Sequence, residues 1–150
     1  MRIAIGSDHA AFEAKAEVVD YLKSLGHEVV DEGTHSLDSV DYPDYAAAVS
    51  VAVQKGLVDR GILICGTGIG MSIAANRFSG IRAALCYTEA LASLSRLHND
   101  ANVLCMGART QSVDAMKSII PIWLTTVWEG DRHANRLKKI ESNPRGQDAK

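Results

Sequence analysis

Residues 60–72 have the sequence RGILICGTGIGMS, in which a short apolar segment leads into a glycine-rich turn. Residues 62–64 predict a buried strand that ends at Cys65, and residues 71–76 predict the opening of a helix. Glycines let successive backbone N–H groups point at one position, and a helix N-terminus adds partial positive charge there. The stretch therefore predicts a strand–turn–helix unit that binds an anion, with Cys65 at the rim, where the same field favours a thiolate.

Known phosphate-binding motifs do not fit this turn. The dinucleotide fingerprint G-x-G-x-x-G requires glycine at position 71 and a phosphatase-type Cys-x5-Arg motif requires arginine there, but the residue is Met71. The P-loop requires lysine where Thr67 stands. Two alternatives stay open from these residues alone: a tight connection that binds nothing, and an inert buried cysteine.

The composition is that of one globular domain without a nucleic-acid or membrane partner. The 150 residues are 47% hydrophobic and 23% charged, with a formal net charge of -2. No apolar run reaches the roughly 20 residues that cross a bilayer, and the N-terminus predicts a strand instead of a signal peptide. Three cysteines without C-x-x-C spacing are typical of reduced thiols, so we expect a cytoplasmic protein. We expect a single domain over residues 1–140 and a polar, flexible tail over residues 141–150.

Predicted strands and helices alternate along the chain. Strands are predicted over residues 2–6, 28–31, 61–65, 81–86 and 102–106. Helices are predicted over residues 10–25, 42–55, 71 onward, 88–97, 111–123 and 132–140, with Pro121 disturbing the last turn of the fifth. Five strands that alternate with helices indicate an α/β fold, with a five-stranded parallel sheet covered on both faces and an extra C-terminal helix.

Polar residues that follow the strands are the first candidates for a site, because ligands of parallel sheets bind beyond the carboxyl ends of the strands. Asp8 and His9 follow strand one, the glycine-rich turn follows Cys65, and Arg109 follows strand five. Asp8 could equally be only the N-cap of the next helix. The aspartates at positions 38, 41 and 44 do not follow the EF-hand order, so we predict no metal.

Two further polar groups stand apart from these strand ends. His98 and Asn99 end a predicted helix before strand five, where a histidine can also simply complement the helix dipole. Arg132 and Arg136 are four residues apart and share a helical face, so they could bind one phosphate, with His133 between them. A solvated basic face is the alternative for this second group.

Six segments carry a family resemblance that spans nearly the whole domain, and the Cys-Gly-Thr-Gly and His-Asn-Asp-Ala-Asn runs within them are long and specific. The segments are residues 6–9, 41–45, 61–70, 72–76, 80–84 and 95–104. Together they resemble the B-type ribose-5-phosphate isomerases and their relatives, the galactose-6-phosphate and allose-6-phosphate isomerases. The resemblance implies a Rossmann-like three-layer α/β/α sandwich that forms a homodimer or a tetramer, with each active site built from both chains.

The family interconverts aldose and ketose phosphates through an enediolate and uses no cofactor. The resemblance therefore implies a small sugar phosphate as the partner, with ribose 5-phosphate and ribulose 5-phosphate as the pair. By resemblance, Cys65 is the base that moves the proton. Some members instead use a glutamate just after the turn, but Met71 and Ser72 stand in that region here.

The resemblance also implies the other site residues. His98 with Asp8 is the ring-opening acid/base pair, and Thr67 lines the turn beside Cys65. Backbone N–H groups of the turn, with an asparagine, hold the enediolate oxygens, while a histidine and arginines bind the phosphate and a tyrosine borders the sugar. The implied substrate-binding residues are His9, Tyr42, Gly66, Gly68, Ile69, Gly70, Asn99, Arg109, Arg132 and Arg136.

Two residues depart from the family pattern, and two other functions stay open. Ala11 stands where many members have glycine, which would narrow the approach to His9, and Asp131 stands beside Arg132, where an acid could weaken the phosphate clamp.

A six-carbon sugar phosphate is the first alternative substrate, admitted or excluded by a loop such as residues 34–40. The second alternative is a flavodoxin-like module that binds a nucleotide without catalysis.

Overall fold

Strands and helices alternate along residues 1–142, which are the residues that the computed structural model describes. The strands are β1 (Arg2–Ser7), β2 (Glu28–Asp31), β3 (Arg60–Cys65), β4 (Ala83–Leu85) and β5 (Val103–Gly107). The helices are α1 (Phe12–Ser24), α2 (Tyr42–Gln54), α3 (Ile69–Ala75), α4 (Glu89–Asn99), α5 (Val113–Thr125) and α6 (Arg132–Ser142), and a 3₁₀ turn, His9–Ala11, precedes α1. The α/β class and the extra C-terminal helix are confirmed.

The five described strands form one sheet in the order β2-β1-β3-β5-β4, and every neighbouring pair is parallel. From β1 the chain goes to one side to form β2 and then crosses back to form β3 on the other side. The carboxyl ends of β1 and β3 therefore flank the switch point of the sheet, where ligands of such folds bind. Ser7 lies beside Ile64 in this register, and Cys65 lies beside Gly107.

The central strands alternate between two apolar cores because successive side chains of a strand point to opposite faces. On one face, residues such as Ile5, Ile62 and Met106 pack with α1 and α5 around the fully buried Trp123. On the other face, residues such as Leu63 pack against α2 and α3. The predicted three-layer sandwich is confirmed, and Cys65 lies in the second core, directly below the turn that leads to α3.

Several element ends differ from the sequence prediction. β4 begins at Ala83, two residues late, because the backbone N–H groups of Arg82 and Ala83 donate to the side chains of Asn102 and Asn76. The prediction that Pro121 disturbs the end of α5 was wrong, since the helix continues through it to Thr125. The first two residues of the predicted tail continue α6, and its remaining residues, 143–150, lie outside the described part of the chain.

The turn before α3 gives a stability prediction with a matched control. Gly68 and Gly80 both have φ of +76°, but a Cβ on Gly68 would lie 2.5 Å from Leu85 Cδ1 and 2.8 Å from the carbonyl oxygen of Met106, whereas Gly80 has open space. We expect Gly80→Ala to lower the free energy of unfolding by about 1–2 kcal/mol through backbone strain alone. Gly68→Ala should cost about 1–3 kcal/mol more from overpacking. Urea titrations measure both, and equal losses would show that the turn relaxes around the extra methyl group.

Candidate active site

The carboxyl edge of the sheet brings the ends of β1, β3 and β5 together. Ala108 N donates to the carbonyl oxygen of Cys65 (2.8 Å), and Arg109 N donates to that of Gly66 (2.8 Å), so the segments after β3 and β5 are joined residue by residue. Asp8 follows β1, the strand next to β3. One edge thus holds Asp8, Cys65 and Arg109, as the positions of the strand ends predict.

Cys65 is held with its sulfur toward the backbone of the turn. Gly68 N donates to Cys65 Sγ at 3.1 Å, a contact that suits a thiolate, and the residue is 5% exposed. The other two thiols lie in different environments, because burial raises the pKa of Cys86 and raises that of Cys105 well above its ordinary value. All three cysteines are free.

The close approach of Tyr42 explains why the turn has glycine at position 70, and Arg109 lies against its other end. A Cβ on Gly70 would lie 2.6 Å from Cζ of Tyr42, so the phenol ring lies directly against the turn. A Cβ on Gly66 would meet Cδ of Arg109 at 3.4 Å. The structure therefore brings both predicted side chains, an aromatic ring and a guanidinium, to the turn that Cys65 faces.

Thr67 and Tyr87 complete the turn. Thr67 Oγ1 accepts from Ile69 N (3.3 Å), which fixes the entry into α3. The Tyr87 hydroxyl donates to the carbonyl oxygen of Thr67 (2.8 Å), so a residue after β4 supports the turn from outside. Sequence reasoning missed Tyr87, since nothing near it in the chain indicates that the sheet places it beside residue 67.

Asp8 and His9 are both fixed by backbone N–H groups. Asp8 Oδ1 accepts from Ala10 N (3.0 Å), so the aspartate does cap the 3₁₀ turn while it stands at the carboxyl edge. His9 Nδ1 accepts from Val40 N (3.2 Å), which assigns the hydrogen of the neutral ring to Nε2. Ala11 is 1% exposed and packs into the α1 core, so its methyl group is directed away from a ligand.

His98 and Asn99 lie at the opposite edge of the sheet. They end α4, and the chain then enters β5 at Val103, which pairs with the beginning of β3. The carbonyl oxygen of Asn99 accepts from Arg82 Nε (3.0 Å), just before β4 starts. β5 has five residues, so at about 3.3 Å per residue its ends are about 13 Å apart. A single chain therefore does not bring His98 to Cys65 or to Asp8.

A cationic cluster surrounds His98 at that edge. Its ring stacks on that of His133, with centroids 4.4 Å apart and planes inclined by 11°. Arg132 Nε donates to His133 Nε2 (3.3 Å), and Arg136 Nη1 lies 3.5 Å from His133 Nδ1. Burial lowers the pKa of His133, and the charges of His98, Arg132 and Arg136 lower it further, while Glu129 opposes them.

Glu129 is the acidic residue that enters this cluster, and sequence reasoning missed it. Its Oε2 lies 3.4 Å from His133 Nε2 and 4.0 Å from His98 Nε2. Asp131, the acid expected to disturb the clamp, adopts a left-handed conformation (φ 44°) and forms no ion pair among the described residues. The sequence WEGDRH offers two acids near the arginines, and only the fold decides which one faces them.

The ligand atoms of His98, Glu129 and His133 lie within 4.8 Å of one another, a spacing that a metal ion could use. The surrounding charge opposes this, because a guanidinium donates to His133 Nε2 and a second guanidinium faces the other ring nitrogen. The donor set therefore fits a metal cation poorly and an anion such as phosphate well.

Among residues 1–142, no helix combines the length and hydropathy that a membrane span requires.

Comparison with known proteins identifies the family to which the chain belongs. The profile of the Ribose/Galactose Isomerase family matches residues 3–140. The chain is 50% identical over 139 residues to ribose-5-phosphate isomerase B of Escherichia coli (93% of each chain), and 42% identical over 144 residues to D-erythrulose-4-phosphate isomerase of Pectobacterium atrosepticum (93% of each chain). The structure superposes on Clostridium thermocellum ribose-5-phosphate isomerase B with a TM-score of 0.94 and 50% identity, covering 95% of this chain and 97% of the other. The chain therefore belongs to the ribose/galactose isomerase family and is a sugar-phosphate isomerase.

Proposed function

We propose that the chain interconverts ribose 5-phosphate and ribulose 5-phosphate through an enediolate, with Cys65 as the base. The observation that carries this proposal is the Cys65 sulfur, which accepts a backbone N–H bond at 3.1 Å inside a glycine-rich turn at the switch point of the sheet. Membership of an isomerase family removes the flavodoxin-like alternative. Three free cysteines fit a reducing compartment, so we place the reaction in the cytoplasm.

Aldose–ketose isomerisation requires a base and hydrogen-bond donors to the two oxygens of the enediolate. The base takes the proton from C2 of the open-chain aldose and returns it to C1, while negative charge develops on the sugar oxygens. Backbone N–H groups of residues 66–70 supply donors on the same turn that holds Cys65, and such preorganised donors stabilise the developing oxyanion. Proton transfer between adjacent carbons needs no redox group, so we assign no cofactor.

The sheet geometry supports a site shared between two chains. His98 and Asn99, with the cluster around Arg132 and Arg136, lie at the edge opposite to Cys65 within one chain. We propose that a second copy presents its His98 edge to the Cys65 edge of the first, so that His98 meets Asp8 for ring opening and Asn99 meets the enediolate.

Exposed apolar side chains provide a surface for such a dimer. α3 exposes two isoleucines four residues apart beside the glycine-rich turn, and α4, whose last turn contains His98, exposes two leucines three residues apart. The exposed residues are Ile69, Ile73, Leu91 and Leu94. Burial of these side chains between two copies favours a homodimer, since each Å² of apolar surface removed from water contributes about 25 cal/mol to the free energy of association.

Phosphate binding in this arrangement joins cations from both edges. His9 directs its Nε2–H away from Val40, and Arg109 borders the turn, while Arg132 and Arg136 come from the second copy. Two guanidinium groups four residues apart on one helix can bind one phosphate together. Tyr42 forms a wall of the sugar pocket on the turn side.

The proposed substrate has five carbons, by similarity to named relatives. The Pectobacterium relative is named for a four-carbon substrate, and we favour the five-carbon pair because the Escherichia coli and Clostridium thermocellum relatives are named for it. The loop before α2 contacts the site, because Val40 N donates to His9 Nδ1. Its conformation can therefore affect which length of sugar phosphate fits.

Replacing the base should stop catalysis without preventing binding. Cys65→Ala is expected to lower kcat by at least about 100-fold, in the range of a lost general base, while ribose 5-phosphate still binds in calorimetry because the phosphate contacts remain. Cys86→Ala is the matched control, since it removes a buried thiol outside the turn and should keep kcat. Substantial turnover by Cys65→Ala would remove this thiol from the mechanism.

Thiol alkylation provides an independent test that needs no variant. Iodoacetamide should modify Cys65 faster than Cys86 or Cys105, because burial raises the pKa of the other two and withholds their thiolates. Ribose 5-phosphate should slow the reaction at Cys65 only. Peptide mass spectrometry gives the three rates, and equal labelling of all three thiols would contradict the assignment.

A further inference from the structure

Glu129 occupies a defined place beside the stacked histidines. Its backbone N–H donates to the carbonyl oxygen of Leu97 (3.1 Å), which joins the segment before α6 to the last turn of α4. Its carboxylate Oε2 then lies between His133 Nε2 (3.4 Å) and His98 Nε2 (4.0 Å). One carboxylate oxygen therefore faces the same nitrogen of both rings.

His133 cannot readily carry a proton charge in this cluster. Its two ring nitrogens face Arg132 and Arg136, and a guanidinium can only donate hydrogen bonds. An imidazolium would direct its Nδ1–H at Arg136 and its Nε2–H into the space that Arg132 shares with the Glu129 carboxylate, with only 5% of the residue exposed to water, and burial with the two guanidinium charges lowers the pKa of His133 despite that carboxylate. The geometry favours an uncharged His133, and the ring of His98 stacks against it.

His98 has the opposite surroundings. Its side chain is 38% exposed, and within residues 1–142 no guanidinium donates to its ring. Its Nε2 faces the carboxylate of Glu129, and its Nδ1 takes part in no hydrogen bond among the described residues. Of the two stacked rings, His98 is the one whose Nδ1 is left open to a ligand.

We propose that Glu129 is a positioning residue for ring opening: its carboxylate lies 4.0 Å from Nε2 of His98, where it faces that side of the ring as a counterion, and this leaves Nδ1 to exchange a proton with the sugar. This inference rests on the proposed function. In the step itself, the C1–O4 bond breaks and its electron pair goes to O4, which gains a proton, while the C1 hydroxyl loses its proton as the carbonyl forms. Whichever of these protons His98 handles, its charge changes by one, and Glu129 balances that change.

The chain offers a matched pair of variants for the test. Glu129→Gln removes the carboxylate and keeps the backbone bond to Leu97. Asp131→Asn removes one negative charge two residues away, at a left-handed position that asparagine tolerates, and its side chain forms no ion pair in the described part of the chain. The first variant tests the contact to His98, and the second tests a general change of charge near the arginines.

Two substrates of different length separate ring opening from proton transfer. Ribose 5-phosphate is cyclic, whereas erythrose 4-phosphate has no furanose ring because its O4 carries the phosphate, and a relative is named for the four-carbon ketose phosphate. We expect Glu129→Gln to lower kcat on ribose 5-phosphate about tenfold or more with KM nearly unchanged, and to leave kcat on erythrose 4-phosphate within about twofold of wild type. Asp131→Asn should match wild type on both sugars.

Other outcomes overturn the inference. Equal loss on ribose 5-phosphate and erythrose 4-phosphate would place Glu129 in a step other than ring opening, and a raised KM for both would make it part of phosphate binding. Loss of the same size in Asp131→Asn would show a general effect of charge, and wild-type kinetics in Glu129→Gln would remove the residue from the reaction. Wild-type protein that converts neither sugar would instead contradict the proposed function.

Discussion

Because all five described strands run in the same direction, residues that follow strands and residues that precede them lie at opposite edges of the sheet. The Cys65 turn, Asp8, His9 and Arg109 follow strands. His98 and Asn99 precede β5, and α6 lies against the end of α4 through the Glu129–Leu97 bond. This direction separates Cys65 and Asp8 from His98 and Asn99, so each of the two steps needs groups from both edges, and it is the constraint that makes a second chain necessary in our account.

The two edges also differ in charge. The turn edge offers backbone N–H groups and one thiol, which are suited to an oxyanion that exists only during the reaction. At the other edge, the side chains grouped around His133 are Arg132, Arg136, His98 and the carboxylate of Glu129, a set that is suited to a permanent dianion such as a phosphate ester. The two histidines of this group stack on each other, and burial with the neighbouring guanidinium charges lowers the pKa of His133.

Most of the fold was predictable because local signals agree with the sheet. The apolar runs of β1, β3 and β5 mark the central strands, and the glycines of the turn mark its close contacts with Tyr42 and Arg109. The candidate site was predictable where residues directly follow strands. Glu129 and Tyr87 were missed because their partners, at His98 and Thr67, are set by tertiary register, which spacing in the sequence does not reveal.

The central claim, a site completed by a second chain, is tested most directly by mixing two inactive variants, Cys65→Ala and His98→Asn, after unfolding and joint refolding. Random pairing makes about half of the dimers mixed, and in each mixed dimer one site has both residues intact, so about a quarter of wild-type activity should return. Refolded wild type gives the reference activity, and native mass spectrometry counts the mixed dimers. If mixed dimers form and no activity returns, Cys65 and His98 act within the same chain and the account is contradicted.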